Sequence, residues 1–169
     1  MSIFQQTLTH IQEVVYIPAG WHIDHLHEEK QNAEYGAGIF QLHQRSDTSL
    51  SVRFRVAKTT PTKAGQFVVF WQKNAEKQNQ PFTYEESADL LVIHVIHPAT
   101  GENGQFVFPK DVLKKHGILS TDDNKGKMAM RVYPSWDEVT SKQAIATQKW
   151  QLPYFAKLDT EKLIKLYKS

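Results

Sequence analysis

The run Leu90-Leu-Val-Ile-His-Val-Ile96 constrains this chain more than any other stretch. It is short, rich in β-branched residues and interrupted by a single polar side chain. Such a run reads as a central strand buried on both faces. A strand of that kind requires neighbours in a sheet and covering layers above and below it. The chain has material for both: 169 residues, 40% hydrophobic and 22% charged, suit one domain around one core and do not suit a disordered chain,. The expectation is therefore a single α/β domain over residues 1–169.

Other elements follow from periodicity. Phe4, Leu8, Ile11 and Val15 recur at helical spacing after a capping box of Ser2 and Gln5, and Pro18 with Gly20 ends that helix,. The polar stretch Trp21 to Glu34 could hold a second, exposed helix. Gly38 to His43 reads as a strand, and Arg45-Ser-Asp-Thr-Ser as a turn. Leu50 to Lys58 alternates, with Val52, Phe54 and Val56 on one face and Arg53 and Arg55 on the other,. Phe67 to Trp71 fits either a strand or a buried helix. Asn74 to Pro81 reads as a polar linker. Pro98 to Gly104 is a turn joining the Leu90 run to a strand at Gln105 to Phe108, so this pair reads as a hairpin. Pro109 opens a short helix that Gly117 closes. Thr121 to Lys127 is a charged loop, Met128 to Tyr133 reads as the last strand, and the remainder as helical.

The absence of cysteine excludes disulfides, thiolate metal sites and a cysteine nucleophile,. The N-terminus lacks the basic and apolar regions of a signal peptide, and no apolar run is long enough to span a bilayer, so the cytoplasm is the expected compartment. The net charge of +2 conceals a pattern. Residues 1–47 hold two basic and six acidic side chains, a net of −4, and residues 76–124 hold four and eight, also −4. Residues 48–75 hold five bases and no acid, and residues 125–169 hold nine bases and four acids, so each nets +5. Two basic segments could fold into one positive face suited to a phosphate-bearing partner, or each could be ordinary solvated surface.

Several segments carry a family resemblance. They are Glu34-Tyr-Gly-Ala, then Phe54-Arg-Val-Ala-Lys-Thr-Thr-Pro-Thr-Lys-Ala-Gly-Gln-Phe-Val68, then Gly104-Gln-Phe-Val-Phe-Pro-Lys110, and finally Arg131-Val-Tyr-Pro-Ser-Trp136 with Thr147-Gln-Lys-Trp-Gln151. In that order and spacing the chain resembles the MepB-like family of bacterial proteins over about residues 34–155. The resemblance implies a restriction-endonuclease-like core, a mixed β-sheet flanked by helices. A nuclease of that class uses an acidic residue and a Glu-x-Lys strand to hold Mg²⁺. The resemblance puts Val56-Ala57-Lys58 in the Glu-x-Lys position. Lys58 is present, but Val56 cannot ligate a metal. Glu34 or Asp47 could supply one carboxylate, but Mg²⁺ needs more oxygen ligands than that; Glu34 and Lys58 are the catalytic candidates, and metal-dependent cleavage is not the expected activity,.

Lys58 has a bearing of its own. At the end of an apolar face its ammonium needs a phosphate, an internal acid such as Glu34, or an exit to water. Thr59-Thr60-Pro61-Thr62-Lys63, with Gly65 and Gln66, offers hydroxyls, lysines and backbone N–H groups to an anion, the more so if a helix begins near Pro61. The alternative is a capped turn. Arg131, Tyr133, Trp136, Gln148, Lys149 and Trp150 combine cations with flat rings that can contact phosphates and stack bases, or can simply pack in the core. His22, Asp24, His25 and Glu28 lack a metal-site pattern and read as a solvated helix face. His94 and His97, at odd separation on one strand, face opposite ways.

The expected function is nucleic-acid binding, DNA or RNA, on a degenerate nuclease-like scaffold, with no cofactor, no metal site and no membrane contact. The expected contacts are Arg53, Arg55, Lys58, Thr60, Thr62, Lys63, Gln66, Arg131, Tyr133, Trp136, Gln148 and Lys149. The alternatives are a residual metal-dependent nuclease using Glu34 and Lys58, and a regulatory protein that holds a small phosphate-bearing ligand while acting through a protein partner or as a homodimer.

Overall fold

The four apolar residues at helical spacing near the N-terminus are all buried in the computed structural model, which describes residues 1–45 and 47–168. Helix α1 spans Ile3–Ile11. Its start is closed reciprocally: Gln5 N–H donates to Ser2 Oγ at 3.1 Å, and Ser2 N–H donates to Gln5 Oε1 at 3.2 Å,. The chain stays helical through a π-helical stretch, Gln12–Tyr16, and a last turn, α2, Ile17–Ala19. It stops at Gly20, whose φ of 82° is the left-handed value that favours glycine,.

The segment expected to form a second helix is instead a strand, β1, His22–Glu28. Its side chains are almost all exposed, so it has no apolar stripe to bury as a helix,. Antiparallel pairing with β2, Gly38–His43, decides its conformation. A bulge between Asp24 and His27, with His25 at φ 51°, interrupts the ladder,. The histidines therefore do not share a helix face. His22 stacks on His43 at 4.7 Å. Asp24 Oδ1 accepts from His25 Nδ1 at 2.8 Å and His43 Nε2 at 2.7 Å, and these bonds, that of His25 first, hold its carboxyl below the ordinary range.

The alternating run forms β3, Ser49–Val56. Short β4, Lys58–Thr59, and β5, Gln66–Val69, follow, so the Phe67 run is a strand. The expected polar linker is a small hairpin of β6, Gln72–Lys73, and β7, Asn79–Gln80. Next come β8, Leu90–Ile96, β9, Asn103–Pro109, and helix α3, Lys110–Lys115, followed by a left-handed Gly117. β10 is Ala129–Val132, α4 is Lys142–Gln151, β11 is Phe155–Lys157, and α5 is Glu161–Lys168. The last strand is thus β11 rather than the Met128 segment. Ser46, within the turn expected after Arg45, lies outside the described residues.

The main sheet runs β1-β2-β3-β8-β9-β11, and β8 is central as its apolar run predicts. β3 and β8 are parallel, and the other neighbours are antiparallel. One face, with Phe40, Val52, Phe54 and Val92, packs under Phe4, Leu8 and Tyr16 from the N-terminal helices and Tyr167 from α5. The other face, with Ile93, Val95, Phe106 and Phe108, is covered by a three-stranded sheet, β10-β5-β4, and by α3. The result is a mixed α/β domain whose six-stranded sheet is flanked by helices, with a second small sheet laid over one face.

Candidate functional site

Arg53 and Arg55 project from the same face of β3; the small sheet covers Arg55, while Phe82 lies against Arg53. Arg55 is fully buried. Its Nε donates to the Val69 carbonyl at 3.1 Å, Nη1 to the Phe54 carbonyl at 2.8 Å and to Glu29 Oε1 at 3.0 Å, and Nη2 to Asn32 Oδ1 at 3.1 Å. Arg53 donates to both oxygens of Glu29, at 3.3 and 3.4 Å, and lies over the Phe82 ring. Arg55 leaves the set of candidate phosphate contacts, because it is fully buried and its donors are spent inside the protein; Arg53 is partly buried and held to Glu29 and Phe82, away from the cleft that the other cations line. Burial lowers the Arg55 guanidinium to about 10, against the opposing pull of Glu29,.

Three other candidates are engaged within the fold, two through hydrogen bonds and one through ring packing. Gln66 is buried and its Nε2 donates to the Ile96 carbonyl at 2.9 Å. Gln148 Nε2 reaches the carbonyls of Tyr133, Pro134 and Asp137 and so fastens that turn. Trp136 packs edge-on against Phe155 and beside His97. Lys149 is exposed, but it stands on the side of α4 opposite Gln143, Thr147 and Trp150,.

Lys58 does not continue the apolar face of β3, which ends at Val56. It belongs to β4 and is exposed, 3.6 Å from Glu34 Oε2 and over the Tyr35 ring. An exposed ion pair of this kind contributes little to stability. Among the described residues, no group of three or more His, Asp or Glu is arranged to hold a metal ion. The Thr59–Gln66 segment is a bend between β4 and β5, with no helix at Pro61, so no helix dipole points into it.

What the bend does supply is Lys63. The segment presses against β10: a Cβ at Gly65, where φ is 79°, would meet the Tyr133 ring at 2.6 Å. Arg131 on β10 clamps it, with Nη2 donating to Thr60 Oγ1 at 2.7 Å and Nη1 to the Ala64 carbonyl at 3.2 Å. A guanidinium has five N–H donors, so this clamp leaves part of Arg131 free for a ligand. Thr62 is exposed on the same bend.

Lys63 and Arg131 open onto a cleft of about 630 Å³, which Lys127, His116, Tyr133 and Trp150 also line. Lys127 is seated by Gly126, whose N–H donates to Ser120 Oγ at 2.8 Å. A Cβ at Gly126 would lie 2.4 Å from the Ile118 carbonyl oxygen, so only glycine lets the loop come this close. Ser141, which caps α4 by accepting from the Ala144 N–H at 3.1 Å, lies at the cleft's edge with Gln143 and Thr147. No aspartate or glutamate is among the described residues lining the cleft. Burial, and then Lys115, hold the His116 imidazole below its ordinary value.

The two basic segments thus meet, but through fewer residues than their charge count offers. Lys63 comes from the first and Lys127 and Arg131 from the second. Tyr133 stands between them. His116 carries no signal in the sequence beyond its place before a helix-ending glycine. A second depression, of about 690 Å³, lies between the N-terminal helices and α5. Its charges are mixed, with Arg45 and Lys168 beside Asp159 and Glu161, over an apolar floor that includes Trp21 and Leu163. Among the described residues, no helix is long and apolar enough to cross a membrane.

A family model described as MepB-like matches residues 29–157. A crystal structure of MepB is 38% identical to this chain, covers 95% of it and 100% of its own length, and superposes with a TM-score of 0.74. No curated protein matches.

Proposed function

This chain belongs to the MepB-like family, and we propose that it binds nucleic acid through the carboxylate-free cleft, on a restriction-endonuclease-like scaffold that lacks a nuclease's metal ligands. The observation that carries the reading is the convergence of Lys63, Lys127 and Arg131 on one open cleft with no acidic side chain among its lining residues. Cations brought together from separate segments, with no carboxylate to neutralise them, attract a polyanion and release its counterions on contact. The mixed sheet flanked by helices supports the scaffold assignment. Against cleavage stands the environment of the Glu34–Lys58 pair. It is exposed, among the described residues it has no neighbouring carboxylate set, and Val56 lies in the apolar core.

The test is fluorescence anisotropy with a labelled oligonucleotide across a salt series. The logarithm of the affinity is expected to fall linearly with the logarithm of salt, with a slope of roughly −2 to −3 for about three phosphate contacts. Lys63→Gln, Lys127→Gln and Arg131→Gln are each expected to weaken binding and to flatten that slope by about one. Equal, salt-insensitive retention of neutral and anionic polymers would refute the reading.

A further inference from the structure

Phosphate contacts account for the cations of the cleft but not for the two flat rings in its wall. The His116 ring lies parallel to that of Trp150, with centroids 4.0 Å apart and planes 9° apart. Both residues line the cleft. Trp150 is braced by Phe108 at 5.4 Å and belongs to α4, so the stack is built on packed elements rather than on a free loop. His116 is held at the end of α3, where its N–H donates to the Val112 carbonyl at 3.1 Å. The depressed basicity of His116 favours a neutral, planar imidazole there. Hydrogen-bonding groups of Ser141, Gln143 and Thr147 stand in the same wall.

A ring stack beside a cluster of cations distinguishes between nucleic-acid forms. In a duplex each base is covered above and below by its neighbours, so phosphates are exposed and ring faces are not. Only an unpaired base can be laid on an aromatic platform, and such stacking is the usual partner of a basic groove in single-strand binding. The three cations also come from separate segments: the bend before β5, the loop at Gly126 and β10. Three cations around one open cleft give a strand more than one phosphate contact,. Resting on the function proposed above, we infer that the cleft receives an unpaired nucleotide of a single strand, its phosphates on Lys63, Lys127 and Arg131 and its base against the His116–Trp150 stack.

The experiment uses the full chain and a labelled oligothymidylate, with a duplex of equal length, thymidine 5′-monophosphate and inorganic phosphate as competitors at one salt concentration. The single strand is expected to bind more tightly than the duplex. His116→Ala is expected to weaken single-strand binding about 5- to 150-fold, the range for loss of one stacked base, and to weaken duplex binding much less. His116→Phe, which restores a flat ring, is expected to recover most of the loss and so separates stacking from folding. Quenching of tryptophan emission by the strand should disappear in Trp150→Phe. Duplex binding equal to or tighter than single-strand binding overturns the inference, as does an unchanged affinity in His116→Ala. If the Lys63 and Arg131 variants still lose affinity in either case, the phosphate-binding function survives without the stacked base. Displacement of the strand by the monophosphate at similar concentration overturns it in favour of a small ligand. Failure of every nucleic acid to bind removes both readings.

Discussion

Glu29→Ala is expected to lower the free energy of unfolding by about 3–5 kcal/mol, the cost of leaving a buried charge without its partner. Glu29 is itself buried and touches both Arg53 and Arg55. Without it, two guanidinium groups would remain beside one another in the space between the main and small sheets. Arg55 cannot escape to water, since it is fully buried and bonded to the carbonyls of Phe54 and Val69 and to Asn32. Because the Val69 bond ties β3 to β5, the damage should spread to the small sheet that carries Lys63 and the cleft. Urea denaturation measures the effect directly. A loss below about 1 kcal/mol would mean that water reaches the arginines in the variant and that the network contributes little.

The second large effect is a loss of stability on acidification through His94. This residue is buried in the middle of a polar chain. Its Nε2–H donates to Asn103 Oδ1 at 2.6 Å, and its Nδ1 accepts from Gln105 Nε2 at 3.3 Å. Gln105 Oε1 in turn accepts from the Tyr167 hydroxyl at 2.6 Å, and Tyr167 is bonded to Tyr16 at 2.9 Å. Protonating His94 puts an N–H against the Gln105 amide N–H, and turning that amide around would force the Tyr167 and Tyr16 hydroxyls to reverse and leave the buried Tyr16 O–H without its acceptor,. Burial lowers the His94 imidazole to about 4, opposed by the Asn103 bond and helped slightly by His10.

The folded protein therefore takes up this proton later than the unfolded chain does. The contribution of His94 is complete above the unfolded value, near 6.5, and is lost as pH falls from there to about 4,. The loss over that window is on the order of 3 kcal/mol. Imidazole C–H resonances assigned to His94 should titrate near the lower value, with unfolding free energy declining over the same range. A midpoint at or above 6 would show that the neutral tautomer is not locked in place. The chain of bonds reaches from β8 and β9 to both terminal helices, so weakening should appear at the α1 and α5 side of the sheet first.

How far these features were legible in the sequence depends on the residue. The reciprocal cap of α1, the central position of β8 and the hairpin that follows it rest on spacing and local hydrogen bonding, and the structure reproduces them. The strand at His22–Glu28 was not legible, because its polar residues carry neither periodicity and its conformation comes from β2. The site was half legible. Charge counting pointed to two basic segments, and those segments do contribute Lys63, Lys127 and Arg131. It could not say that Arg55, in the same segment as Lys63, would be sealed inside, or that Arg53 would be tied to Glu29 beside it.

By itself the amino-acid order determined which residues alternate, where helices are capped, that the chain must bury a central strand on both faces, and that its cations fall in two blocks. Those are consequences of short-range geometry. Only the tertiary structure decided what lies opposite each face. The strands at residues 58–69 and 129–132 come from distant parts of the chain, and they close over one side of β3. That closure turns Arg55 into an internal tie, and it leaves the bend before β5 at the rim of a cleft, where its lysine stays in water.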